Sequence, residues 1–418
     1  MEGSPLYVLD LEALGKRICK FRDAFTAVRP DIRIYYALKS NSHPEIVSAV
    51  VSDGIGLDVS SGLELKTALE VGAHDIVFSG PGKTGAELDL AIENADRVTV
   101  LMDSFSELRR LGKTAERTAT QVRAGVRLTS DDIGIWRKFG IPLSRLREFF
   151  EEAHKYRYVS LNGLQIHLSW NLGPEAQVRF IKRLGAALAG MNRKQRSLIR
   201  FVDIGGGFWP EEGEWLQPAA TPIGMLRAAH GELPFGGRAH YCQPARPIAE
   251  FAQTLAAALK DHFPPDMNFT VCVEPGRWLC HGGMHIVVTI EDQKSPDVVI
   301  TDGGTNAVGW DRFENDYFPV INLTRPSLEE HECLVAGSLC TPHDLWGYSY
   351  FGKGVRQGDV LLVPNQGAYT YSLRQEFIKP LPKTAVLPPI SSGTTGSESR
   401  AANGAVDNNT VADSWVES

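Results

Sequence analysis

From Ile32 to Glu274 the chain switches eight times between a short β-rich run and a longer stretch with helical spacing. The runs are Ile32–Lys39, Gly56–Val59, Asp75–Ser79, Arg97–Met102, Gln121–Leu128, Gly163–Leu168, Phe201–Ile204 and Phe269–Glu274. Most are separated by amphipathic segments such as Gly62–Val71, Ala86–Asn94 and Pro247–Leu259. Eight such alternations over roughly 240 residues are what a (β/α)8 barrel needs. A doubly wound open sheet is the rival, and strand count alone does not separate the two.

After Glu274 helical patterns thin out and short strands dominate: His285–Ile290, Asp297–Thr301, His331–Ala336, Asp359–Val363 and Glu376–Lys379. Gly and Pro bound several of them, which reads as an all-β domain. The first strand, Leu6–Leu9, is expected to join it, followed by a helix whose apolar stripe is Leu14, Ile18, Phe21 and Phe25. The expected fold is therefore α/β: a (β/α)8 TIM-like barrel over residues 28–276 plus a C-terminal all-β domain built from 1–27 and 277–383. Residues 384–418, rich in Ser, Gly, Thr and Asn, are expected to form a disordered tail.

A net charge of −7 argues against a nucleic-acid partner. No apolar run reaches the ~18 residues of a membrane helix. The opening Met1-Glu2-Gly3-Ser4-Pro5 lacks the pattern of a secretory signal. The six cysteines form no Cys-x-x-Cys pair, so no zinc or other metal is expected. They read as free thiols of a reducing, cytoplasmic setting.

Catalytic groups of such a barrel stand at the carboxyl ends of its strands. Those ends hold Lys39, Asp58, Ser79, Asp103, Arg123 and Arg127, His167, Gly205-Gly206-Gly207, Glu274 and Arg277. On the first run Ile34, Tyr36 and Leu38 fall on one face and Arg33, Tyr35, Ala37 and Lys39 on the other. Partly desolvated, the Lys39 amine would lose its proton more easily and attack an aldehyde, for which pyridoxal phosphate is the common biological case. Most lysines at strand ends are simply solvated. The glycine run would let backbone N–H groups converge on a phosphate, or would merely make a tight turn. Arg277 would add charge to that phosphate, or form a surface ion pair. Glu274 would pair with a protonated pyridine nitrogen, or with a structural arginine. His167 would stack on a cofactor ring, or sit hydrogen-bonded in the core.

Several short motifs occur in one order from about residue 5 to 380. They are Tyr36-Ala37-Leu38-Lys39-Ser40-Asn41, Asp58-Val59-Ser60-Ser61-Gly62, Phe78-Ser79-Gly80-Pro81-Gly82-Lys83, Asp203-Ile204-Gly205-Gly206-Gly207-Phe208, Glu274-Pro275-Gly276-Arg277, Asp302-Gly303-Gly304, Gly337-Ser338-Leu339-Cys340 and Gly367-Ala368-Tyr369. In these the chain resembles the fold-type III pyridoxal-phosphate decarboxylases, a family that includes ornithine, diaminopimelate and siderophore-precursor decarboxylases. The resemblance implies that Lys39 binds the cofactor aldehyde, Glu274 meets the ring nitrogen, and His167 stacks on the ring. It implies that Gly205, Gly206, Gly207, Arg277 and Tyr369 hold the phosphate, with Asp58 and Arg123 completing the cofactor set. Cys340 would reach into a partner subunit's site and help return a proton after carbon dioxide leaves, so a homodimer with shared sites is expected. Alanine racemases share the barrel but set an arginine against the ring nitrogen, so Glu274 favours decarboxylation. A non-catalytic, regulatory member is the rival of another class; Lys39 and Cys340 together speak against it.

Where diaminopimelate and ornithine decarboxylases carry an acid after the cysteine, this chain has Thr341. Substrate contacts are expected from Thr341, Arg312 and Asp344. The family's phosphate-binding serine after the histidine is replaced within Leu168-Ser169-Trp170-Asn171, with Ser169 or Asn171 as substitutes. These departures resemble the siderophore branch, which acts on a citrate-conjugated diamino acid. Diaminopimelate, lysine or ornithine is the alternative substrate.

Overall fold

A computed structural model describes residues 3–129, 134–217, 226, 229–230, 240–309 and 316–388. Strand β1 (Leu6–Leu9) is followed by β2 (Arg33–Ala37), β3 (Gly56–Val59), β4 (Ile76–Phe78), β5 (Val98–Met102), β6 (Val122–Leu128), β7 (Val159–Ile166) and β8 (Phe201–Asp203). A small antiparallel pair, β9 (Glu214–Leu216) and β10 (Tyr241–Gln243), precedes β11 (Thr270–Val273). Strands β2 to β8 and β11 close into a parallel barrel, with β11 bonded to β8 on one side and to β2 on the other. That closure excludes the open sheet, which would leave β2 and β11 as unpaired edges.

The strand faces divide as their period of two requires. Ile34, Tyr36, Leu57 and Val59 face outward into the layer beneath the helices, whereas Tyr35, Val77, Leu101 and Cys272 fill the interior with Phe201 packed against them. Two glycines make room for that ring. A Cβ on Gly163 would come within 1.8 Å of it, and one on Gly125 within 3.1 Å. Local chemistry also starts the helices at the rim. Ser61, Thr84 and Ser104 each accept the N–H three residues on, from Glu64, Glu87 and Glu107, and Thr84 and Glu87 close a full capping box.

The second sheet contains β12 (Met284–Ser295), β13 (Val298–Thr301), β14 (Ile321–Asn322), β15 (Glu330–Ala336), β16 (Leu345–Phe351), β17 (Val360–Val363) and β18 (Lys383–Val386), in the order β13-β15-β16-β14-β17-β12-β1-β18. As expected, β1 joins it. The helix Leu11–Thr26 instead turns to the barrel, buries the expected Leu14, Ile18, Phe21 and Phe25, and sets Phe21 edge-on to Phe208 at 5.4 Å. Two expectations near the end fail. Glu376–Lys379 makes only an isolated bridge, and Lys383–Val386 is no tail but an edge strand parallel to β1. Its partner lies some 380 residues earlier, a pairing no local pattern reports. The rest of the expected tail, 389–418, lies outside the described residues. Barrel and sheet pack into one unit that ends at Leu387.

One buried ion pair pins the β4 and β5 ends together. Lys83 and Glu107, each with a side chain 1% exposed, meet at 2.7 Å. The ammonium also donates to Gly80 O at 2.6 Å and Leu101 O at 2.9 Å, so all three of its protons are used. Removing one member strands the other charge in a dry place. Lys83→Met should cost about 3–5 kcal/mol of unfolding free energy in urea titration, and Lys83→Met/Glu107→Leu should recover most of it. Equal losses in the single and double variants would contradict this.

Candidate active site

Strand β2 stops at Ala37, and Leu38–Ser40 form a 3-10 turn, so the lysine stands just beyond the strand rather than on it. Ser40 Oγ closes the turn on Ala37 O at 2.7 Å. The second sheet's loop holds it from outside: Tyr369 N–H donates to Ser40 O at 2.7 Å, and Asn41 Nδ2 to Gly367 O at 2.9 Å. Lys39 is thereby aimed into a cavity of about 480 Å³ at the barrel's carboxyl end. Its Nζ lies 3.3 Å from Asp58 Oδ2, and Ser79 Oγ donates to the other Asp58 oxygen. Burial pulls the amine's pKa down, but Asp58, Tyr369 and Glu274 outweigh it and the net direction is up. This reverses the expectation of an easily deprotonated amine. Desolvation was expected to act alone, whereas acids around the cavity favour the ammonium. Asp58, its carboxyl pushed up by burial and by Glu274, is the acid that stands beside this ammonium.

Glu274, one residue past β11, is 1% exposed. Its Oε1 accepts from Gln165 Nε2 at 2.6 Å, and His167 Nδ1 lies 3.1 Å from Oε2. Burial would raise this carboxyl, yet His167, Lys39 and Gln165 together hold it below the usual range. Burial and Lys39 shift His167 downward against the pull of Glu274, which favours the neutral ring; its Nδ1 stands 3.1 Å from Glu274 Oε2 and 3.4 Å from the Gly206 N–H. Among the described residues Glu274 has no arginine partner, so the structural ion pair weighed above does not occur. What results is a buried negative charge beside an amide donor and an imidazole, the setting in which a protonated pyridine nitrogen is favoured.

Gly205 and Gly207 adopt φ of 71° and 75°, which L side chains rarely reach. The loop also lies flush against its neighbours. A Cβ on Gly206 would stand 2.1 Å from Glu274 O, and one on Gly207 2.0 Å from Leu168 O. The Arg277 guanidinium stacks between the rings of Trp209, at 4.3 Å, and Tyr369, at 5.1 Å. Tyr369 holds a left-handed backbone (φ 58°) to present its ring there. Gly207, Arg277 and Tyr369 all line the cavity. Of the two substitutes for the missing serine, Asn171 is committed to the loop: its N–H donates to Gly207 O at 2.9 Å and its Nδ2 to Leu168 O at 3.1 Å. Ser169 lines the cavity instead, beside Trp170.

The remaining expected residues fare differently. Arg123 is the second residue of β6 and donates to Asp96 O at 3.0 Å, at the amino end of the barrel. Four residues of extended strand, about 13 Å, separate it from Arg127 at the rim, so Arg123 is withdrawn from the cofactor set. Asp344 is also corrected. It is buried, with Oδ1 accepting Thr305 N–H at 2.7 Å and Oδ2 accepting Leu339 N–H at 2.6 Å. Both oxygens cement loops and neither faces a substrate. Cys340 is exposed and Thr341 partly so, and neither lines the cavity of its own chain. Arg312 lies outside the described residues. Sequence reasoning missed Gln165 as the Glu274 donor and Trp209 as the plate under Arg277. Gln165 shares a strand face with His167, two residues on, and that spacing is the signal that could have found it.

Pyridoxal phosphate fits this donor set: an amine, a buried carboxylate and a glycine cradle beside an arginine converge on one cavity. When bound it supplies an electron sink. Gly206→Ala should weaken pyridoxal phosphate binding at least about tenfold (roughly 1.4 kcal/mol), read from cofactor absorbance, with an unchanged circular-dichroism spectrum. Undiminished binding would show that the loop has room the structure denies it.

Comparison with known proteins accords with this geometry. The model of the pyridoxal-dependent decarboxylase, pyridoxal binding domain, matches residues 11–281. The diaminopimelate decarboxylase of Campylobacter jejuni is 24% identical over 393 residues, covering 90% of this chain and 88% of that protein. The L-glutamyl-[BtrI acyl-carrier protein] decarboxylase of Niallia circulans is 24% identical, over 88% and 85%. Among solved structures, the diaminopimelate decarboxylase of M. jannaschii superposes with a TM-score of 0.77 at 22% identity, covering 93% and 88%. The lysine/ornithine decarboxylase of Vibrio vulnificus, complexed with putrescine, gives 0.71 at 20% identity, over 92% and 94%. A family match over most of the barrel, on a chain whose closed topology and sheet are the same, makes this protein a member of the pyridoxal-dependent decarboxylases, carboxy-lyases that work through pyridoxal phosphate.

Proposed function

We propose that the protein decarboxylates a free diamino acid of the diaminopimelate, lysine or ornithine class. The observation that carries this reading is the convergence of Lys39 and an ionised, buried Glu274 on one cavity, in a chain whose relatives of that class match it over nearly their full length. In this reading Lys39 holds the cofactor aldehyde and Glu274 its ring nitrogen. His167 covers one face of the ring. The glycine loop, Arg277 and Tyr369 bind the phosphate, and Ser169 stands in for the missing serine. Asp58 orients the Lys39 amine and exchanges a proton with it. Cys340, exposed on its own subunit, serves the site of a partner in a homodimer. Free thiols at the six cysteines support a reducing, cytoplasmic setting.

A second reading, a citrate-conjugated diamino acid in siderophore biosynthesis, has its own support. Thr341 cannot neutralise a distal ammonium, and Asp344 has no oxygen to spare. Burying an ammonium without a counter-charge costs several kcal/mol. A second cavity of about 550 Å³, walled by Trp215, His240 and Tyr317, shares Trp209, Arg277 and Asp316 with the first. Such space suits a substrate longer than a free diamino acid. None of the relatives named above carries that activity in its name, which ranks this reading second.

The two readings separate in one assay. Measure kcat/KM for diaminopimelate, lysine, ornithine and citryl-diaminopropionate on wild type and on Thr341→Glu. The first reading expects a free diamino acid to lead by at least about tenfold on wild type. A lead for the conjugate, lost in Thr341→Glu, would replace it with the second. Carbon dioxide release from none of the four would refute both.

A further inference from the structure

Glu274 is not the only acid at the base of the cavity. Asp203, the last residue of β8, is 0% exposed and pairs in register with Cys272 of β11, so its side chain enters the barrel interior beside Glu274. Oδ1 accepts the Gly205 N–H at 2.8 Å. Oδ2 is sealed from solvent and meets no donor among the described residues. Glu274, two residues past Cys272 and on the same face, is tied to this strand end by its own N–H, which donates to Gly205 O at 2.8 Å. Two carboxyl groups on one face of adjacent strand ends, buried and with an Asp203 oxygen that meets no donor, do not both readily ionise.

The partners of the neighbouring acids decide which of them carries a proton. Glu274 is served by Gln165 and His167, and Asp58 by Ser79 and Lys39, while Asp203 has a single backbone N–H. Burial and the adjacent Glu274 push the Asp203 carboxyl well above the ordinary range, in the same direction.

We propose that Asp203 is a positioning residue that keeps its proton at neutral pH and donates it from Oδ2 to Glu274, completing a ring of donors that holds the Glu274 charge in place. The proton on Asp203 is independent of any cofactor. Its consequence for cofactor binding rests on the role proposed above for Glu274. An acid kept neutral so that it can donate is a known device for presetting a charged site.

The test uses the full chain. A carboxyl whose folded pKa exceeds its unfolded one binds a proton in the folded state that the unfolded state releases, so wild type loses stability as pH climbs above the unfolded value near ~4. Asp203→Asn mimics the protonated acid, with Nδ2 as donor, and does not titrate. In cofactor-free protein its melting temperature should exceed that of wild type by about 2 °C or more at pH 8, with the gap shrinking towards pH 5. The infrared band of a protonated carboxylic acid should appear for wild type at pH 7 and vanish in Asp203→Asn. Pyridoxal phosphate should bind Asp203→Asn within about threefold of wild type and Asp203→Ala at least about tenfold more weakly, because the last variant removes a hydrogen bond to a charged group. The proposal is overturned if the infrared band is absent, or if Asp203→Asn is destabilised at every pH and binds as weakly as Asp203→Ala. Unchanged cofactor affinity in Asp203→Ala, with the band present, would overturn the donation to Glu274. The infrared and melting measurements report on Asp203 whatever the substrate panel shows.

Discussion

A carboxylate taken out of water at the mouth of a barrel is unfavourable unless its charge is held, and Glu274 is held by groups from two strand ends at once. Gln165 and His167 stand two residues apart on one face at the end of β7 and reach across to Glu274 with an amide N–H and an imidazole. Because neither is a cation, the charge is stabilised without being cancelled. The nearby Lys39 is kept an ammonium by the same field, with Asp58 beside it. The site is therefore poised between two opposite charges on either side of one cavity. Chemistry that draws electrons into a protonated ring needs that arrangement.

The second sheet contributes as much to this poise as the barrel does. The turn that carries Lys39 is tied to the loop 366–370 by one backbone hydrogen bond and one from the Asn41 side chain, and the same loop presents Tyr369 to Arg277. Displacing the sheet would free the lysine and unstack the arginine together. On the other side, the helix Leu11–Thr26 clamps the short helix Arg277–Cys280: Arg17 donates to Trp278 O at 2.6 Å and its guanidinium lies 4.6 Å over the Trp278 ring. The chain's first helix thus stiffens the segment that begins with Arg277. Precision at the site comes from elements far apart in the sequence, which is why neither the barrel nor the second sheet alone would form it.

Much of this architecture was legible in the residues. Buried parallel strands are short, apolar and bounded by turn-forming residues, so the barrel strands stood out to within two or three residues at most ends. Lys39, His167, Glu274 and Arg277 stood out because charge at the end of an apolar strand is costly unless used. What could not be read is what depends on non-local register. Whether Arg123 or Arg127 reaches the rim depends on where β6 starts relative to its neighbours, and the local pattern is the same for both. Asp344 looks like any acid near a substrate loop until the N–H groups of Thr305 and Leu339 are seen to converge on it. The Lys39 amine was misjudged because desolvation is local to a strand end, while Asp58, Glu274 and Tyr369, which overrule it, arrive from two other strand ends and a loop after β17. Strand β18 resembles the start of a polar tail and is defined only by β1, at the far end of the chain.

The central claim is that Lys39 is the residue that carries the cofactor. Protein loaded with pyridoxal phosphate and reduced with borohydride acquires a stable secondary amine wherever the aldehyde was attached, and peptide mass mapping locates it. The account predicts a single phosphopyridoxyl adduct, on Lys39. An adduct on Lys83 or on any other lysine, or none at all in protein that demonstrably retains the cofactor, would contradict it.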